Sequence, residues 1–396
     1  MSPVSALPAL LALLTALATV YFIVRVVDVP SIQGRFASID GLRGYLAFFV
    51  FLHHSSIWYF YLHSGEWALP PSRLYTHFGQ ASVVLFFMIT GFLFFSKLIN
   101  GKSNDVDFGK LFVSRFLRLV PLYLFAMLLL FSIVALLSNW TLNEPYSQLL
   151  TNVSYWLGFT VLGAPAINGV ASTSLIVAGV TWSLPYEWFF YFSLPLLALA
   201  VRVRPPLPYL LLSVACVVYW ALWKPHGSHL LAFLGGMLAA VLVRKEGFCR
   251  FSEKKTASFL ILFFLAITVI AFRSAYKIVP VLMLSAAFCL IAGGNSLFRI
   301  LHSPLSRTFG EMAYSIYLLH GIALFVTFTF VIGHDQAKHF SALTHWSSVV
   351  ALTPIFILFC YFTFRYIERP AMSSTTTVMA WLRNRFASRS TQSVAP

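Results

Sequence analysis

The chain has 396 residues, 59% apolar and only 10% charged, where a soluble domain carries roughly 45–50% apolar and about 25% charged residues. That deficit excludes a soluble enzyme, and the formal net charge of +15 is then an orientation signal and not a nucleic-acid footprint. Eleven helices of about 20 residues use roughly 220 residues, near the apolar content, and the long unbroken runs exclude a barrel of short alternating strands, so the predicted fold class is an all-α polytopic membrane protein.

Hydropathy places the spans at 5–27, 39–62, 81–99, 119–137, 179–201, 207–223, 229–244, 257–273, 278–294, 311–333 and 347–367. The first run has no charged segment before it, and its basic residues, Arg25 and Arg35, follow it. It reads as an uncleaved helix and not as a secretory signal. With Arg43 set aside as intramembrane, Arg73, Lys224, Arg273, Lys277 and Lys338 fall on one side of this arrangement. The other twenty-one of the 27 Lys and Arg fall on the opposite side. Cytoplasmic loops collect Lys and Arg, and one missed span would invert every later loop. The N-terminus is therefore expected outside and the C-terminus in the cytoplasm.

The loop 138–178 is too short and too apolar for a domain. Its triplets Asn139-Trp140-Thr141 and Asn152-Val153-Ser154 match a glycosylation pattern that is common by chance. Cys216, Cys289 and Cys360 sit in apolar runs, and Cys249 lies alone in a basic loop. None has redox or metal-ligand spacing, so no metal site is expected. The Ser/Thr/Arg-rich tail, 371–396, reads as a frayed cytoplasmic end.

Ionisable residues inside a span are costly and are functional candidates by default. The second span opens with Ser38-Ile39-Asp40-Gly41-Leu42-Arg43-Gly44 and later carries His53-His54. Eleven residues at about 100° each bring His54 to within about 20° of Arg43's face, about 16 Å further along the axis. His53 falls about 80° off that line. Arg43 can also be a snorkelling interface residue, His54 an interhelical hydrogen bonder, and Asp40 an N-cap.

Arg115 and Arg118, in Phe112-Val113-Ser114-Arg115-Phe116-Leu117-Arg118, are neighbours on one helical face. Paired guanidiniums suit a phosphate, although the same residues serve as positive-inside anchors. Glu187 is a lone carboxylate in the aromatic run Trp182-Ser183-Leu184-Pro185-Tyr186-Glu187. It is expected in the outer half of its span, at a depth comparable with His54. Tyr317 and His320 share a face of the tenth span, and Arg365-Tyr366-Ile367-Glu368-Arg369-Pro370 reads as an interfacial salt-bridge cluster.

Six ordered pieces resemble the acyltransferase-3 family of integral membrane acyltransferases, the bacterial O-antigen and exopolysaccharide O-acetylase type. They are Ile39-Asp40-Gly41-Leu42-Arg43-Gly44 with His54; Leu85-Phe86-Phe87-Met88-Ile89-Thr90-Gly91-Phe92; Arg115 to Pro121; Trp182 to Glu187; Ala313 to His320; and Ile367-Glu368-Arg369-Pro370. The resemblance covers about residues 36–370. It departs from the family's usual pattern at Thr90, where Ser is commoner, at Val84, where many members are polar, and in the additional first span. The esterase-like domain that many relatives carry after the membrane part is not expected here.

The resemblance implies a ten-helix membrane acyltransferase core over 36–370, preceded by an extra helix and connector over 1–35. It implies transfer of an acyl group, acetyl above others, from cytoplasmic acyl-CoA to a hydroxyl of a cell-envelope polysaccharide or lipid-linked glycan, with no permanently bound cofactor. Carried over, Arg43 and His54 are catalytic candidates, and Arg43, Arg115 and Arg118 the acyl-donor site; Glu187 joins the catalytic candidates on its own sequence context, to orient or charge-balance His54 or to bind sugar. Tyr317, His320 and Trp182 are acceptor-side candidates. Membrane lipids and envelope-glycan assembly proteins are the further expected partners, with no nucleic acid. A flippase of lipid-linked sugars is the rival, since intramembrane charges also mark transport routes; inverted repeats typical of transporters are not apparent.

Overall fold

The apolar runs become helices, and short polar residues set where several of them begin. The structure is a computed structural model that describes residues 2–26, 36–101, 106–223 and 225–392. The expected connector, with Arg35, and the loop residues Lys102 and Lys224 lie outside the described residues. The first four helices are α1 (Ala6–Val26), α2 (Ala37–Ser64), α3 (Arg73–Asn100) and α4 (Phe108–Leu137). Ser72 caps α3 by accepting from the Tyr75 amide, and Asp107 caps α4 by accepting from Lys110 at 2.9 Å. Side chains of this kind satisfy amides that a helix start leaves open.

Two short helices, α5 (Tyr146–Leu157) and α6 (Thr173–Ile176), occupy the long loop. A tight turn at Val180–Trp182 leads into α7 (Ser183–Ala200), followed by α8 (Leu207–Trp223), α9 (Gly227–Leu242) and α10 (Glu246–Ser252). The antiparallel run continues through α11 (Lys255–Ala271) and α12 (Ile278–Ala292). An amphipathic α13 (Pro304–Glu311) precedes α14 (Ala313–Val326), which widens into a π turn over Thr327–Val331. After α15 (His334–Ala337), α16 (Ala342–Thr363) runs through a second π turn, Phe364–Glu368, into α17 (Arg369–Ser373) and α18 (Thr375–Gln392). Each expected span has its helix. Among the described residues, α1, α3, α4, α14 with its π turn, and α16 onward are long and apolar enough to cross a membrane by themselves. Outward residues such as Leu14, Phe22, Leu128, Phe263 and Ile355 leave an apolar surface for lipid.

Where apolar side chains face lipid on one side and protein on the other, close backbone approach is what holds helices together. α3 and α9 make such a contact: a Cβ at Gly236 would strike the Met88 carbonyl, and one at Gly91 the Phe233 carbonyl. α2 is buried between α3, α13 and α14, and Gly310 of α13 lies against the Asp40 carbonyl. α1 packs on α16 and α13. It is tied down where Trp346 Nε1 donates to Pro3 O at 2.9 Å and Tyr75 OH to Ser5 O at 2.8 Å.

Several expectations are corrected. α4 begins at Phe108, ahead of the expected span start at 119, and Arg115 and Arg118 lie within it. Asp40 is in the first turn of α2 but does not cap it; the capping position is Phe36. The tail is not frayed over its described part. α18 packs on α4, with Arg383 paired to Asp107 at 2.5 Å and Met379 beside Gly109. Glu368 belongs to no surface salt bridge: the π turn carries it inward, fully buried, where Ser315 donates to it. Asn152, of the second chance-level triplet, is buried and donates to Glu144.

Candidate active site

α2 carries Arg43, His53 and His54, and its packing separates their roles. Arg43 is 19% exposed and pairs with Asp40 at 3.9 Å, one turn back. His53 turns toward α3, where its Nδ1 meets the Tyr75 carbonyl at 2.7 Å and its ring lies where a side chain on Gly79 would be. It is buried and fastened to a neighbouring helix. His54, on the face shared with Arg43, is not consumed in that way.

The arginines converge on one cavity of about 190 Å³ between α2, α3, α4, α7 and α14. Arg43, Arg115 and Arg118 line it together with Glu187, and Thr90, Ser183, Tyr191, Tyr314 and Tyr317 supply hydroxyls. Phe86, Phe87, Phe94 and several aliphatic residues close the rest. Arg115 lies over the Phe94 ring at 4.9 Å, and its buried Nε has no hydrogen-bond partner. Arg118 Nη1 is 3.1 Å from the Met372 thioether, a weak acceptor. Glu187 Oε2 accepts from Tyr191 OH at 3.0 Å, one turn along α7. Tyr314 OH donates to the Leu119 carbonyl and fixes α14 against α4. Arg115 and Arg118, with no carboxylate at ion-pair distance among the described residues, face a partly apolar cavity beside Arg43 and are suited to a phosphate-bearing ligand with an apolar arm.

Glu187 therefore sits among the arginines and not at His54. The depth argument fails because the strip leading into α7 runs inside the helix bundle. The preceding strip enters the bundle: Ile176 and Val177 are fully buried, and the Val177–Ala178 backbone lies against Gly321 midway along α14. A helix entered from there carries its fifth residue deeper than hydropathy suggests. The joint is locked by Ser183 Oγ and Tyr317 OH, 2.8 Å apart.

His54 pairs instead with His320. Its Nδ1 is 2.9 Å from His320 Nε2 and 3.0 Å from the Val50 carbonyl, and its ring stacks on Trp67 at 6.2 Å. His320, fully buried, reaches the Ile316 carbonyl with its own Nδ1 at 3.2 Å. It lies one turn beyond Tyr317, the ring centroids 6.2 Å apart. Cavity and imidazole pair are thus consecutive along α14 as well as along α2.

The family model of the acyltransferase-3 domain, described as an acyltransferase domain, matches residues 36–365. The chain belongs to the acyltransferase-3 family. No curated protein and no solved structure matches it. The matched region runs from the start of α2 into the π turn after α16, so α1 and α17–α18 lie outside the family domain, although α17 supplies the thioether that touches Arg118.

Of the residues singled out in the sequence, the structure brings Arg43, Arg115, Arg118, Glu187 and Tyr317 to one cavity and puts His54 with His320. Trp182 stands apart, 37% exposed, in an aromatic cluster with Tyr186, His229 and Tyr276. Tyr191, Tyr314 and Trp67 were not anticipated. The i, i+4 spacing of Glu187 and Tyr191 was a usable signal for the first. Nothing in the sequence pointed to Trp67, which comes from the turn after α2.

Proposed function

We propose that the chain is an inner-membrane O-acyltransferase that moves an acyl group, acetyl above others, from cytoplasmic acyl-CoA to a hydroxyl of a cell-envelope polysaccharide or its lipid-linked precursor. One observation carries this reading: three guanidiniums line a buried cavity, and a histidine stands about 16 Å further along the helix face of one of them. The twenty-one-to-five distribution of basic residues supports a cytoplasmic side at the arginines. Acyl-CoA arrives there with its phosphates at Arg43, Arg115 and Arg118, and the pantetheine arm carries the thioester toward His54. Glu187 and Tyr191, which share a hydrogen bond, line the same cavity and offset its positive charge.

His54 acts as general base. It takes the proton of the acceptor hydroxyl as that oxygen attacks the thioester carbonyl. The tetrahedral adduct collapses with cleavage of the C–S bond, and the His54 imidazolium returns the proton to the leaving thiolate. The products are an O-acyl ester and free CoA thiol, and no further reactant is needed.

Mass spectrometry of surface glycans from the native host, with and without the gene, tests the reading. An acyl-sized mass difference on a sugar is expected; loss of the whole surface glycan with unchanged decoration would favour the flippase.

A further inference from the structure

His320 makes a contact that the general-base role of His54 does not by itself require. The hydrogen bonds fix where the protons are. A carbonyl oxygen can only accept, so the Val50 carbonyl beside His54 Nδ1 puts the His54 proton on Nδ1. The Ile316 carbonyl likewise puts the His320 proton on its Nδ1. His320 Nε2 is then a lone pair, 2.9 Å from the His54 Nδ1–H. This one combination accommodates all three contacts, with the single His54 Nδ1–H shared between the Val50 carbonyl and His320 Nε2, and it leaves the Nε2 lone pair of His54 free to take a proton.

We infer that His320 is the positioning residue of His54: its Nε2 lone pair accepts from His54 Nδ1–H, holds the ring in its base-competent tautomer and stabilises the imidazolium formed when His54 takes a proton. This rests on the acyl-transfer reading above. A buried cation needs an acceptor close by, and no carboxylate hydrogen-bonds or ion-pairs with His54 among the described residues. A neutral imidazole fills the place that a carboxylate holds in a serine-hydrolase triad, without bringing a fixed charge into the membrane. Trp67 stacks on the His54 ring, with centroids 6.2 Å apart, and helps hold its orientation. The effect falls on the step in which His54 carries charge and leaves donor binding alone, since the arginines line the cavity and His320 acts only through His54.

Inverted membrane vesicles of the native host, supplied with labelled acetyl-CoA, contain both enzyme and acceptor and give a maximal rate and a KM for the donor. His320→Phe keeps the packing volume but has no lone pair, and His320→Gln restores an acceptor oxygen. The Phe variant is expected to lose about ten- to hundredfold in maximal rate, as for a lost charge-assisted hydrogen bond, with KM for acetyl-CoA and abundance unchanged. The Gln variant should recover a substantial part. His54→Ala and the His54→Ala/His320→Phe double variant should retain the same residual rate, because coupled residues are not additive. Full activity in the Phe variant, loss matched in KM or abundance, no recovery by Gln, or additive losses in the double variant each overturns the inference. No transfer by the unaltered protein would instead remove the acyl-transfer reading.

Discussion

Replacing Arg115 and Arg118 by Gln, singly and together, measures what the cavity is for. Neither guanidinium is committed to a carboxylate within ion-pair distance: Arg115 rests on the Phe94 ring with a buried, unpartnered Nε, and Arg118 reaches a thioether. A phosphate at either is a gain over what the resting protein provides, about 1.5–3 kcal/mol for each charge-assisted contact. Each single change should weaken CoA binding about tenfold or more, and the double change about a hundredfold. Lys at either position should fall between, since it keeps the charge but loses the planar fork. Part of the Arg115 effect is structural, because its cation–π contact with Phe94 is worth up to about 2 kcal/mol when desolvated. Thermal melting of the purified variants separates that part. Calorimetric titration of CoA into protein held in lipid nanodiscs gives the affinities, and abundance and insertion should stay near wild type. Unchanged CoA affinity in the double variant would return both residues to the role of orientation anchors and remove the donor site.

Three further outcomes follow from the geometry. His54→Ala should lower transfer by about 10²–10⁴-fold, whereas His53→Ala, which loses only the bond to the Tyr75 carbonyl, should keep much of it at equal abundance; vesicle assays compare the two. In a Cys249→Ser background, Gly247→Cys should resist an impermeant thiol reagent in intact cells while Ser147→Cys reacts, and the reverse pattern would overturn the orientation. Gly236→Ala places a methyl against the Met88 carbonyl and should cost about 1–3 kcal/mol as overpacking does, seen as a lowered melting temperature with CoA binding retained in the surviving folded fraction.

The spans were legible because hydropathy and charge act over whole segments, and errors at their edges cancel. Boundaries were less so. α3 begins at Arg73 and not at 81 because Ser72 caps it and buried Thr76, His77 and Gln80 extend it past its apolar part. The tail looked structureless because its composition is polar, yet Arg383 finds Asp107 across the chain. A polar helix docked on a neighbour leaves little apolar periodicity to read.

Angular position around α2 was readable, and depth was not. The 100° rule placed His54 on Arg43's face and His53 off it, and the contacts made by each agree with that division. Depth depends on where a helix enters the bundle, and the strip before α7 runs inside it, against Gly321 midway along α14. Glu187 thereby moved from the expected neighbourhood of His54 to the arginines. The vacancy at His54 was taken by His320, 266 residues away in sequence. A carboxylate beside His54 would have needed a compensating charge in a medium of low dielectric; an imidazole needs only the Ile316 carbonyl behind it. The site thus divides its charge by depth, with cations and Glu187 gathered where phosphate arrives and a neutral pair where the proton moves.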